Sequence, residues 1–183
     1  MGSKYMEFDK EKFKNLVHYV IWKTSGKDGF GATKLYKVLW FSEARAYVLR
    51  KRPIAGATYI REEHGPVPKL ARQIRSELVA EGRISEFLID RGKYKGWVFK
   101  SLVPPPKDFL TSEDRQDVDW WIKHIDEDHS ATSISDFSHD YGWEIAKRGE
   151  ELPLYSVLAE RFREPSDQEI EIANVRAKKL GLH

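Results

Sequence analysis

Cysteine is absent from this 183-residue sequence. Its absence excludes disulfide staples and any zinc site with thiolate ligands, and it fits a reducing cytoplasm. No apolar run approaches the ~20 residues that a membrane-spanning helix needs. The first residues, MGSKYMEFDK, lack the apolar centre of a secretory signal. Met1-Gly2-Ser3 reads as a cloning remnant with Met6 as the native start, so residues 1–5 are set aside as disordered. There is no internal repeat and no low-complexity tract. The glycines of SGKDGFGA (residues 25–32) do not complete a GxGxxG phosphate cradle, which would also need a preceding strand. They read as a connector.

What is present suits a globular chain: 40% hydrophobic and 33% charged residues, with 6 Trp, 8 Tyr and 9 Phe to build a core on large rings. The length suggests one domain that buries roughly 70% of the surface it would expose unfolded. Net charge is +2 but unevenly spread. Residues 1–105 carry 21 Lys/Arg against 11 Asp/Glu, a net +10, and residues 106–183 carry 10 against 18, a net −8. Such asymmetry marks either a polyanion-binding face or two halves of one domain attracting each other.

Periodicity organises the chain. Asp9 caps a first helix with an apolar stripe at Phe13, Leu16, Val17, Val20 and Ile21. Thr33 is the expected cap of a second helix, apolar around most of its circumference and therefore central. Arg52-Pro53 ends it, and residues 58–60 favour a short extended segment. The corner His64-Gly65-Pro66-Val67-Pro68 follows, with Pro68 expected in the first turn of a third helix that runs to about Glu81. Two apolar runs flanking DRGKYKG read as a β-hairpin. Pro104-Pro105-Pro106 marks an internal boundary. A capping box at Thr111 to Asp114 opens a fourth helix burying Val118, Trp121, Ile122 and Ile125. ATSISDFSHDYGWEIAKRG reads as two short helical turns, EELPLYSVL as initially extended, and residues 166–183 as a last helix capped by Ser166, stopped by Gly181 and packed on the same domain. The expected class is mostly α with one β-hairpin (α+β).

Three helices followed by a hairpin is also the order of a winged helix-turn-helix. Lys69, Arg72, Gln73 and Ser76 share the polar face of the third helix, and Arg91, Lys93 and Lys95 sit at the hairpin tip, as DNA recognition would need. Solvated helix faces look the same, and the second helix is too long and apolar for a compact reader. HIDEDH (residues 124–129) places His124 and Asp128 at i, i+4, but metals need more ligands than that segment offers, so no metal site is expected. SISDFSHD contains Ser, His and Asp without a nucleophile elbow or oxyanion loop, so no catalytic residue is assigned.

The stretch KLYKVLWFSEARAYVLRKRPIAGATYIREEHGPVPKL resembles the SocA-like, or Panacea, antitoxin family. The resemblance rests on Leu39-Trp40-Phe41, on Pro53-Ile54, Gly56 and Tyr59-Ile60, and on Gly65, Pro66, Val67 and Pro68. A second landmark resembles Ile134-Ser135, Ser138, His139 and Trp143, and together they span about residues 10–160. A domain over residues 6–165 is expected. The resemblance implies a cytoplasmic, bacterial or phage-encoded antitoxin without enzymatic activity or cofactor, which binds a toxin encoded by an adjacent gene. Some members of the family hand a toxin to a protease instead. DNA binding is expected to be weak or absent, with a winged-helix regulator as the competing reading. Candidate partner-binding residues are Trp120, Tyr59, His64, Arg72 and Arg91, since aromatic and arginine side chains dominate interfaces.

Overall fold

Helix α1 (Lys10–Thr24) begins where the Asp9 carboxylate accepts the Lys12 N–H, as its cap position requires. Its stripe of Phe13, Leu16, Val17, Val20 and Ile21 is buried to 2% exposure or less. The computed structural model describes residues 7–90, 92, 95–161 and 167–179. Residues 1–5, Arg91, Lys93, Ser166 and Gly181, which carry expectations above, lie outside the described residues.

Helix α2 (Ala32–Arg50) is the central one, and it touches α1, α4, α5, both hairpins and the C-terminal 3-10 helix. Leu35, Val38, Leu39, Trp40 and Ala46 are at most 1% exposed. Its cap differs from expectation. Gly31, not Thr33, is the N-cap, and no side chain caps it. Gly31 is instead paired with Val98 in a β-bridge, so the chain enters the helix from the edge of a sheet.

The corner before the third helix is a strand. Tyr59–Glu62 (β1) pairs antiparallel with Gly65–Pro68 (β2), from Tyr59↔Pro68 to Glu62↔Gly65. Pro68 therefore closes a ladder rather than opening a helix, and α3 (Ala71–Ala80) starts three residues later. β2 is an edge strand, where a proline without an N–H removes no ladder bond that matters. The second hairpin, β3 (Ile84–Asp90) with β4 (Lys95–Ser101), is the one anticipated at DRGKYKG. The mostly α class of α+β thus holds, with a second small ladder added.

Helix α4 (Ser112–Asp128) is capped by Thr111, whose hydroxyl accepts the Asp114 N–H at 3.1 Å. The Asp114 carboxylate does not complete the capping box. It is fully buried and takes Arg50 at 2.7 Å and Arg52 at 3.2 Å, while Asp117 takes Arg50 at 2.7 Å and Arg45 at 2.8 Å. Arg50 thereby clamps two turns of α4 to the end of α2. Lys27 with Asp126 and Lys69 with Glu151 also join the basic first half to the acidic second. Much of the charge asymmetry is therefore internal to the fold.

α5 (Ala131–Phe137) and α6 (Tyr141–Ile145) are the two short helices expected. β5 (Glu151–Leu152) then adds to the free side of β1, giving the order β2-β1-β5, and a 3-10 helix covers Leu154–Arg161. In α7 (Asp167–Lys179), Ile170, Ile172 and Val175 are 44–49% exposed. Among the described residues no helix is long and apolar enough to cross a membrane.

Candidate interaction surface

The motif residues converge on α2. Glu43, mid-helix and fully buried, accepts backbone N–H bonds from Ile54 (2.6 Å), Ala55 (3.2 Å), Gly56 (3.4 Å) and Ala57 (3.5 Å). The Pro53-Ile54-Ala55-Gly56 turn is thus a nest wrapped on one carboxylate, and Gly56 at φ +75° supplies the left-handed residue it requires. Burial pushes the Glu43 carboxyl up, while the four N–H groups oppose the shift.

Six residues before Glu43 on the same helix, Lys37 is also buried, at 1% exposure, and donates to the Pro66 carbonyl at 3.2 Å. Burial alone lowers its pKa to about 7. Gly65 packs directly on this amine. A Cβ there would collide with Ser138 Oγ and Lys37 Nζ, and φ is +94°. The two landmarks, about 70 residues apart in sequence, therefore meet at one point: Gly65 of β2 fits only because Ser138 and Lys37 leave space for no side chain. Ser138 is held by its own hydroxyl bond to Ser135 O at 2.7 Å.

Trp143 seals the same corner. Its Nε1–H donates to Glu62 O at 3.0 Å, and its carbonyl accepts from Arg61 Nε at 3.0 Å. The His139 imidazole stacks on the indole at 3.6 Å and 6°, and the Arg61 guanidinium lies 4.0 Å from it. Burial, then the charge of Lys37, holds the His139 pKa below its usual value. Gly56, Gly65, Pro66, Val67, Pro68, Ser138, His139 and Trp143 are accordingly scaffold residues that join α2, the first hairpin and α5–α6.

The candidate partner residues scatter. Tyr59 is a correction: it is 1% exposed, packed edge-on against Trp40 at 5.0 Å, and presents nothing to a partner. Burial and then Glu43 raise its phenol pKa well above the usual value. A tyrosine on a strand covered by α2 goes inward, which the sequence alone did not reveal. His64 is exposed at the β1–β2 turn, on a cleft of about 380 Å³ that also holds Trp97, Ser135 and His139. Arg72 is exposed on α3 beside Gln73 and Ser76. That face is less basic than its sequence, because Lys69 pairs with Glu151 at 2.7 Å and Gln73 with Glu77 at 2.9 Å. No hydrogen bond, ion pair or ring contact joins Trp120, His64 and Arg72 to one another among the described residues.

Trp120 is exposed, at 52%, and it is not alone. Five rings from α2, α4, the α4–α5 turn and α5 form a closed circuit: Phe41 on Trp121 (4.5 Å), Trp121 on His124 (5.8 Å), His124 on His129 (5.3 Å), His129 on Phe137 (5.6 Å) and Phe137 on Phe41 (5.5 Å). Trp120 adds to one edge, stacked on His124 at 4.8 Å and edge-on to Trp121 at 4.7 Å. His124 and Asp128 do pair as their spacing suggested, at 2.7 Å, but with each other. Among the described residues no three His, Asp or Glu groups are placed to hold a metal ion. Sequence reading found Trp120 but missed its companions, because Phe41 and Phe137 reach the patch from other helices.

Fold and site together define a helical α+β domain in which most signature residues act as structural fasteners and the exposed rings Trp120 and Phe137 lie outside the signature. The family model for the antitoxin SocA-like, Panacea domain matches residues 35–144, more than half of the chain, and the chain belongs to that family. The match is shorter than the 10–160 span suggested by the motifs. No curated protein and no solved structure matches the chain.

Proposed function

We propose that this chain is an antitoxin that neutralises a toxin protein by direct, stoichiometric binding, without a catalytic step. Family membership is the observation that carries the reading. The geometry supports it, because the buried carboxylates Glu43, Asp114 and Asp117 are each held by structural partners. Neutralisation occurs in the cytoplasm, against a toxin encoded by an adjacent gene. Residues 6–165 act as one domain in this reading, since α1 lies outside the matched segment yet fills the core with five large side chains.

Co-expression with the neighbouring reading frame, followed by titration of purified toxin, tests this. Toxin activity should fall linearly to an endpoint at a fixed molar ratio. Complete inactivation by a trace of the chain, with chemically altered toxin recovered, overturns it. Loss of toxin only when a protease is present points to delivery instead of direct inhibition. DNA affinity is weak and sequence-independent in this reading. Binding of its own promoter at ~10⁻⁸ M or tighter at physiological salt would favour a regulator.

A further inference from the structure

The circuit of rings sits at a helix end with an unusual charge. The last turn of α4 holds Asp126, Glu127 and Asp128 and no basic residue. Carboxylates there face the negative end of the helix dipole, where lysine or arginine is the stabilising choice. Asp126 is taken by Lys27, and Glu127 lies 4.0 Å from an exposed Lys123. Asp128 is 60% exposed and pairs with the His124 imidazole. Across the turn, α5 brings Phe137, 55% exposed, onto the other edge of the circuit. Trp120 and Phe137 are thus open to solvent over Phe41 and Trp121, which pack on the core, with the carboxylates of Glu127 and Asp128 exposed beside them.

That combination selects one kind of visitor. A guanidinium is planar, weakly hydrated and always charged, so it stacks on indole and pairs with carboxylate at once, which an ammonium does less well. The molecule already shows this chemistry in cis: the Arg45 guanidinium lies 6.0 Å from the Trp120 ring while its Nε pairs with Asp117 at 2.8 Å. Arg45 is tied to that side and the His124 ring stacks on part of the indole, while the remainder of Trp120, 52% exposed, is open to solvent.

We propose that the patch of Phe41, Trp120, Trp121, His124, His129 and Phe137 is a docking surface for an arginine-bearing, basic segment of a partner protein. The arginine packs on the exposed part of Trp120 and pairs with Asp128, and a neighbouring basic residue meets Glu127. This rests on the antitoxin reading for the identity of the partner as a toxin, not for the chemistry of the surface.

The probe is a set of three capped pentapeptides, Gly-Arg-Gly-Arg-Gly, Gly-Lys-Gly-Lys-Gly and Gly-Glu-Gly-Glu-Gly, titrated into the full chain at low salt. The indole N–H signals in ¹⁵N spectra report where they bind. The arginine peptide should shift the Trp120 indole most, the lysine peptide less and the glutamate peptide not at all. Trp120→Ala and Asp128→Asn, both at exposed positions, should each weaken the arginine peptide on the order of tenfold or more. Equal shifts from all three peptides, or shifts centred on Trp22 or Trp97, overturn the proposal. Neutralisation assays separate the two readings. If the wild-type chain neutralises the neighbouring toxin and both variants do so equally well, the surface is wrong and the antitoxin reading stands. If the arginine peptide binds at Trp120 while no toxin is neutralised, the surface stands and the antitoxin reading falls.

Discussion

The corner where β2 meets α5 and the aromatic end of α4 use similar residues for opposite purposes. In the corner, Trp143 and His139 stack at 3.6 Å, the indole N–H is satisfied, and Lys37 and Ser138 close over Gly65. At the end of α4, Trp120 and His124 stack at 4.8 Å with the indole half in solvent and a carboxylate beside it. The first pair is locked by backbone bonds that cross about 80 residues of chain. The second is assembled on one helix and stays exposed among the described residues. Most residues that carry the family signature are thus fasteners here, while the exposed rings of Trp120 and Phe137 lie outside the quoted motifs.

The largest effect should come from breaking the fastened side at Glu43. Glu43→Ala leaves four buried N–H groups without their acceptor and should cost about 3–5 kcal/mol in urea unfolding. A change below about 1 kcal/mol would mean that water or a rearranged turn replaces the carboxylate. Gly65→Val comes next. Its positive φ alone should cost about 1–3 kcal/mol, and overpacking against Ser138 and Lys37 adds to this. Adding Ser138→Gly relieves part of the clash and none of the backbone strain, so partial recovery of the melting temperature is expected. A variant that melts like the wild type but no longer neutralises toxin would make the corner a contact surface.

A smaller, pH-dependent effect should appear at His18, where α1 meets the second hairpin. The ring is fully buried, accepts at Nδ1 from Arg83 (2.8 Å) and donates from Nε2 to Val103 O (3.0 Å). Burial, then the charge of Arg83, lowers its pKa to about 4. Below the unfolded value of about 6.5 the unfolded chain takes up the proton and the folded one does not. Stability should therefore fall as pH drops from about 6.5 to about 4, with a limiting slope of roughly 1.4 kcal/mol per unit from this group. His18→Gln should remove that component of the urea midpoint's dependence on pH. An unchanged profile would show that His18 titrates alike in the folded and the unfolded chain. The smallest effect on stability belongs to the open side: Trp120→Ala should change unfolding by no more than about 0.5 kcal/mol. A loss of several kcal/mol would mean that the aromatic circuit is core, and the contrast between the two regions would disappear.

The scaffold was more legible in the sequence than the surface. The α1 stripe, the Asp9 and Thr111 caps and the β3–β4 hairpin are local patterns, and each was found where expected. Tyr59 was misjudged because strand alternation does not say which face is covered. Glu43 and Lys37 carried only a faint signal, as two charges in an otherwise apolar helix. The first ladder was hidden because its two prolines argue against a strand unless that strand is known to lie at an edge.

By itself, then, the sequence determined the elements, since helix periodicity, capping and turn chemistry act over a few residues and need no partner from afar. It also determined the family, because motifs 70 residues apart persist in order whether or not their contact is known. Only the tertiary structure decided that β2 is a strand, that Gly65 faces Ser138 and Lys37, and that Phe41 and Phe137 join Trp120 in one patch. Those contacts join segments far apart along the chain. Their geometry is set by how α2 is enclosed, which no local pattern encodes.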